Sequence, residues 1–122
     1  MTTKPRVLLL EDQMMIAFDL KATMERNGLE VVGPFANANQ ALSSTDMSDI
    51  DVAVLDFNLG DDATSEVVAE ALLAHQKPFM FLTGYGSVGA LPKKFDKVDR
   101  LLKPIRDSDL VETVKRLAAS AG

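Results

Sequence analysis

A chain of 122 residues suffices for one domain with a real core but is short for most two-domain enzymes, so residues 1–122 read as a single unit. It has no Cys, which excludes disulfides and thiolate metal sites, and no apolar run long enough for a membrane span or signal peptide, which leads us to expect a cytoplasmic protein without membrane insertion. A net charge of −5 argues against nucleic acid as a general partner.

Taken in order, apolar runs alternate with helical patterns. Residues 6–10 (RVLLL) read as a short strand ending at Glu11 and Asp12. Ile16, Leu20 and Met24 then recur at helical spacing as far as Asn27-Gly28, a helix stop. Residues 30–35 (EVVGPF) form a second strand, and Asn37 caps a short helix carrying Ala41 and Leu42. Residues 51–55 are a third strand running into Asp56, followed by a polar loop over residues 58–62. The next helix is expected to bury Val67, Val68, Ala71 and Leu72. His75, the only histidine, reads as a solvated helix-end residue.

Residues 78–82 and 98–102 read as the fourth and fifth strands. The last helix carries Leu110, Val111, Val114, Leu117 and Ala118 on one side, with Asp107 or Ser108 placed to cap it. Between Gly84 and Phe95, three glycines and Pro92 predict an irregular or short fourth helix. Strand–helix alternation implies a doubly wound parallel sheet, flavodoxin-like, (βα)5, with strand order 2-1-3-4-5. Ligands of such sheets bind at the carboxyl ends of the strands flanking the switch point. Glu11, Asp12 and Asp56 stand at those ends.

Three carboxylates that converge raise one another's pKa unless a cation neutralises them. With oxygen ligands alone, Mg2+ suits the site better than zinc. Thr83 ends the fourth strand with a hydroxyl, and Lys103 follows the fifth with an ammonium. A cation, an ammonium and a hydrogen-bond donor around an anion are the electrostatic requirements of phosphoryl transfer. Asp56, alone at its strand end, is the carboxylate best placed to accept the phosphoryl group.

In these marks, Glu11-Asp12, Asp56, Thr83 and Lys103-Pro104, the chain resembles a response-regulator receiver domain over essentially its whole length. The resemblance implies Asp56 as phosphoacceptor, with Mg2+ held by Glu11, Asp12, Asp56 and the backbone carbonyl of Asn58. It also implies that Thr83 and Lys103 contact the phosphoryl oxygens, and that the bond before Pro104 is cis. The implied partners are a sensor histidine kinase and a downstream protein target, or no target if the protein drains phosphate from a kinase. Since the sequence stops just after the last helix, without a DNA-binding segment, a stand-alone regulator rather than an enzyme is expected.

Two features depart from the common receiver pattern. Most receivers carry an aromatic switch residue three positions before the lysine, where this chain has Arg100, and the loop after Asp56 lacks the usual Met-Pro turn. Phe81-Leu82-Thr83-Gly84-Tyr85-Gly86 is similar to the Phe-Ala-Thr-Gly-x-Tyr signature of the FAT GUY receivers, which also lack that aromatic. Gly84, Tyr85, Gly86 and Arg100 are therefore the switch candidates, the glycines acting as hinges of the segment up to Phe95.

Two other readings compete. Gly84, Gly86 and Gly89 also spell the G-x-G-x-x-G of dinucleotide sites, but the motif follows the fourth strand instead of the first and runs into Leu91-Pro92. A degenerate receiver that binds partners without being phosphorylated is the alternative within the family. Lys93, Lys94, Lys97, Arg100, Lys103 and Arg106 form a basic segment that is either a solvated face or a docking surface for an acidic partner.

Overall fold

The computed structural model describes residues 3–61, 63–84 and 91–120. The apolar runs form β1 (Arg6–Leu10), β2 (Glu30–Phe35), β3 (Val52–Asp56), β4 (Phe79–Thr83) and β5 (Asp99–Leu102). They make one five-stranded parallel sheet in the order β2-β1-β3-β4-β5, the expected flavodoxin-like topology. The helices are α1 (Met14–Arg26), α2 (Ala38–Ser44), α3 (Glu66–Ala74) and α4 (Asp107–Ser120).

Alternate residues of each strand serve opposite faces, which is why the central strands are apolar throughout. Val7, Leu9, Val52, Val54, Met80 and Leu82 pack with Leu20 and Met24 of α1 and Leu110, Val114 and Leu117 of α4. Leu8, Leu10, Ala53, Leu55, Phe79 and Phe81 pack with α2 and α3 on the other face. Removing a Leu or Phe side chain from water contributes about 1.5–3 kcal/mol, so the two layers pin the register of the strands that carry the acids.

Several boundaries move by one residue. Asp51 precedes β3 as a turn, its carboxylate accepting the Arg6 N–H at 2.8 Å, and Asp56 itself is the last strand residue, in register with Leu82. Pro78, which has no N–H, stays outside β4 but its carbonyl accepts from Ala53 at 3.1 Å. Val98 likewise precedes β5. Val67 is a correction: it is exposed, and α3 buries Val68, Ala69 and Leu72 instead. Helical spacing from buried Ser65 selects those positions.

The Asn37 cap forms as expected, its side chain accepting from Gln40 N–H at 2.8 Å. The cap of α4 differs, because Asp107 is already helical and the carbonyl of Arg106 accepts the Leu110 N–H at 3.0 Å. Asp107 and Asp109 instead lie in the first turn, where carboxylates favour the helix dipole. His75 ends α3, exposed, with its ring against the Ala71 carbonyl. Between β4 and β5, the described part of the irregular segment is a three-residue 3-10 turn, Lys93–Phe95.

Phe95 anchors that turn. Its side chain is fully buried, edge to face with Phe79 and Phe81 at ring distances of 6.2 and 5.2 Å. At the other sheet edge, Gly33 sits where the β1–β2 register slips, at φ +113°. A Cβ there would stand 2.8 Å from the Leu9 carbonyl oxygen, so only glycine fits.

Candidate functional site

β1 and β3 are neighbours, so Glu11 and Asp12, just past β1, meet Asp56 at the end of β3. One carboxylate oxygen from each of the three lies within 4.8 Å of the others. Lys103, one residue beyond β5, reaches back over the sheet end. Its Nζ stands 3.0 Å from Glu11 Oε1 and 3.1 Å from Asp56 Oδ2. Its backbone is tied to β4, the Lys103 N–H donating to the Thr83 carbonyl at 2.8 Å, and the Lys103–Pro104 bond is cis, as the resemblance implies.

Asp12, Asp56 and Lys103 open into a cavity of about 320 Å³ lined also by Gln13, Asn58, Gly60 and Gly84. A larger cleft of about 490 Å³, beside Pro5, Gly28, Asp51 and Lys115, lies at the opposite ends of the strands, away from the acids. The loop after β3 is held as a hairpin by Leu59 to Ala63 and Ser65 to Phe57 hydrogen bonds at 2.9 and 3.0 Å. Gly60, at φ +82°, turns that loop against Asp12, whose Oδ2 would be 3.5 Å from a Cβ added there. The Asn58 amide oxygen accepts the Gly60 N–H at 3.1 Å.

The electrostatics follow from burial. Desolvation, together with the hydrogen bond and charge of Glu11, pushes Asp56 up from 3.8 to about 7, against the opposing pull of Lys103. Burial works in the same direction on Glu11. There, hydrogen bonds with Asp56, Lys103 and the Gln13 N–H outweigh it and hold the carboxyl below its ordinary range. Burial lowers Lys103, but its bonds to Glu11 and Asp56 prevail and hold its proton above the ordinary lysine value. Glu11 is thus the ionised partner of the ammonium, and Asp56 the acid most in need of another cation.

Comparison with known proteins agrees with this picture. Residues 7–115 match the family described as the response regulator receiver domain. The chain belongs to that family. It is 30% identical over 114 residues to the sensory transduction protein LytT of Bacillus cereus, covering 91% of this chain and 46% of LytT. It is 34% identical over 119 residues to nodulation protein W of Bradyrhizobium diazoefficiens, covering 93% of this chain and 51% of that protein. The receiver thus spans about half the length of these curated relatives. The solution structure of SdrG from Sphingomonas melonis Fr1 superposes with a TM-score of 0.80 at 33% identity, covering 98% of this chain and 99% of that one.

Within this receiver the expected site residues separate into three groups. Glu11, Asp12, Asp56, Asn58, Gly84 and Lys103 meet at one end of the sheet. Thr83 is buried at the end of β4, but its residue lines a neighbouring cavity of about 220 Å³ with Leu91, Arg100 and Leu102. Arg100 is not in the acid pocket. Its guanidinium donates to the carbonyls of Phe95 and Asp96, each at 3.0 Å, and so ties the 3-10 turn to β5. Tyr85 and Gly86 lie outside the described residues.

The donor set fits a hard divalent cation. All three acids offer oxygen, and among the described residues no hydrogen bond takes up the Asn58 carbonyl. Three carboxylates against one ammonium also leave net negative charge in the pocket. The basic segment is less of a patch than its composition suggests, since Lys94 pairs with Glu66 and Glu70 and Lys103 with the acids. Gln13 carries no mark in the sequence, whereas Gly60 belongs to the Asn58-Leu59-Gly60 stretch that resembles the FAT GUY receivers.

Proposed function

We propose that this receiver is a phosphorylation switch with Asp56 as phosphoacceptor and Mg2+ as cofactor. The observation that carries the reading is Lys103 Nζ bridging Asp56 and Glu11 at 3.1 and 3.0 Å, with Asp12 in the same pocket. In the reaction Asp56 Oδ attacks phosphorus and the P–N bond of a kinase phosphohistidine breaks, its electron pair staying on the imidazole. Lys103 and Thr83 take the phosphoryl oxygens. Glu11, Asp12, Asp56 and the Asn58 carbonyl would hold Mg2+, which would supply positive charge against the transferring group. Lys103 pulls Asp56 toward its ionised, nucleophilic form against its burial, and a bound cation would complete that pull.

The partner is a sensor histidine kinase. The start of α1 supports a docking face beside the pocket, where Met15 and Phe18 are 85% and 57% exposed. The signature at residues 81–86 and Arg100 in place of an aromatic support assignment to the FAT GUY receivers, acting as a cytoplasmic regulator through a protein target or as a phosphate sink, and not as an enzyme. Incubation with acetyl phosphate and Mg2+, read by intact mass, tests the reading. A gain of one phosphoryl group that needs Mg2+ and disappears in Asp56→Asn supports it. No gain would leave a degenerate receiver that works by binding alone.

A further inference from the structure

One neutral side chain lines the acid pocket without a task. Gln13 borders the cavity together with Asp12, Asp56 and Lys103, and is exposed at its mouth. It occupies the N-cap position of α1, where Ser, Thr, Asp or Asn would accept a backbone N–H, yet its side chain makes no capping bond. Its backbone is fully engaged, the N–H donating to Glu11 Oε2 at 3.2 Å and the carbonyl accepting from Ala17 at 2.9 Å. Those two bonds fix the residue at the rim and leave the amide free to turn inward.

Two other polar side chains of the pocket are already committed. Lys103 is bonded to Glu11 and Asp56, and the Asn58 amide oxygen is turned back on Gly60. Among the described residues, Gln13 is the pocket residue whose side-chain acceptor and donor are both unengaged. A carboxamide accepts from a water O–H and donates to an anionic oxygen at once, without adding charge to a crowded acid site. GTPases use a Gln in this way to orient an attacking water.

We propose that Gln13 positions the water that hydrolyses phospho-Asp56 and so sets the lifetime of the phosphorylated state, a proposal that rests on Asp56 being the phosphoacceptor. In that step the water oxygen bonds to phosphorus and the P–O bond to Asp56 breaks, its electron pair remaining on the carboxylate. The water's proton passes to the departing inorganic phosphate, so the step needs no other reactant. Gln13 Oε1 accepts from the water and Nε2 donates to a phosphoryl oxygen. Were Gln13 only a solvated helix-start residue, its side chain would have no influence on this rate.

The test is single-turnover decay. Wild type, Gln13→Ala and Gln13→Asn are phosphorylated with acetyl phosphate and Mg2+, freed of donor, and followed by intact mass. Mg2+ affinity and Tm are measured in parallel. Decay about 10-fold slower in Gln13→Ala, the loss of about one well-placed hydrogen bond, is expected with Mg2+ affinity and Tm unchanged. Gln13→Asn, which keeps the amide, should decay faster than Gln13→Ala. Unaltered decay in Gln13→Ala, or slowing that tracks weaker Mg2+ binding, overturns the proposal. A wild type that takes up no phosphoryl group overturns the phosphoacceptor reading itself, and this inference with it.

Discussion

Lys103 Nζ lies 3.1 Å from Asp56 Oδ2, although 47 residues separate the two along the chain. That contact joins the ends of β3 and β5 across β4 and also takes in Glu11. It makes Lys103 the resident counter-ion of a pocket that three acids would otherwise destabilise. The site is therefore balanced between an internal cation and an external one.

Lys103→Met should expose that balance. Without the ammonium, Mg2+-free stability is expected to fall by about 1–2 kcal/mol. The loss is smaller than for a fully buried pair because the lysine side chain is 23% exposed. Mg2+ affinity should rise severalfold, since a competing positive charge has gone. Urea titrations with and without Mg2+ check both changes, and equal losses under the two conditions would oppose the account.

The raised pKa of Asp56 gives a pH dependence with a definite sign. Folded Asp56 holds its proton up to about 7, whereas the unfolded chain releases it near 3.8. Its contribution to Mg2+-free stability is therefore complete below 3.8 and is lost as pH rises through 7. Glu11, held low, acts in the opposite sense and loses its contribution only as pH falls through its folded value. Mg2+ must displace the Asp56 proton, so its affinity should climb from pH 6 to about pH 7 and then level off. Calorimetry in buffers of different ionisation enthalpy reads the released proton directly. An affinity that is flat over that range contradicts the assignment.

Phe95 is the structural anchor of the segment before β5. Phe95→Ala removes a fully buried ring from the Phe79–Phe81 cluster and should cost about 3–5 kcal/mol in denaturant unfolding. A cost below about 1 kcal/mol would mean that the cluster repacks freely.

Arg100 tests how the signal leaves the site. Arg100→Ala removes the hydrogen bonds to the Phe95 and Asp96 carbonyls. Amide exchange at residues 95–98 is expected to quicken about 5–10-fold, as about one hydrogen bond is lost. If residues 84–95 replace the aromatic switch, beryllofluoride with Mg2+ should alter exchange across that stretch in the wild type. Exchange that ignores beryllofluoride would remove this segment from the relay.

Much of this was readable in the sequence for physical reasons. Short apolar runs such as VAVL, β-branched and bounded by polar segments, read as strands buried on both faces, and their order brings Glu11, Asp12 and Asp56 together. What eluded pattern reading depends on three-dimensional contact. Val67 looks inward-facing in the sequence because apolar residues at neighbouring positions are alike until the helix phase is fixed by Ser65 and Val68. The burial of Phe95 was hidden by the charges on either side of it, and the placement of Thr83 beside a second cavity rests on side-chain direction at a strand end. Gln13 carried no signal because an exposed Gln before a helix has no distinctive spacing.

The most direct measurement is the site of phosphorylation. The protein is phosphorylated with acetyl phosphate and Mg2+, reduced with borohydride, and mapped by peptide mass spectrometry. An acyl phosphate on Asp56 should appear as homoserine at position 56, dependent on Mg2+ and lost in Asp56→Asn. An unmodified Asp56, or a label carried by any other residue, would contradict the assignment of this pocket.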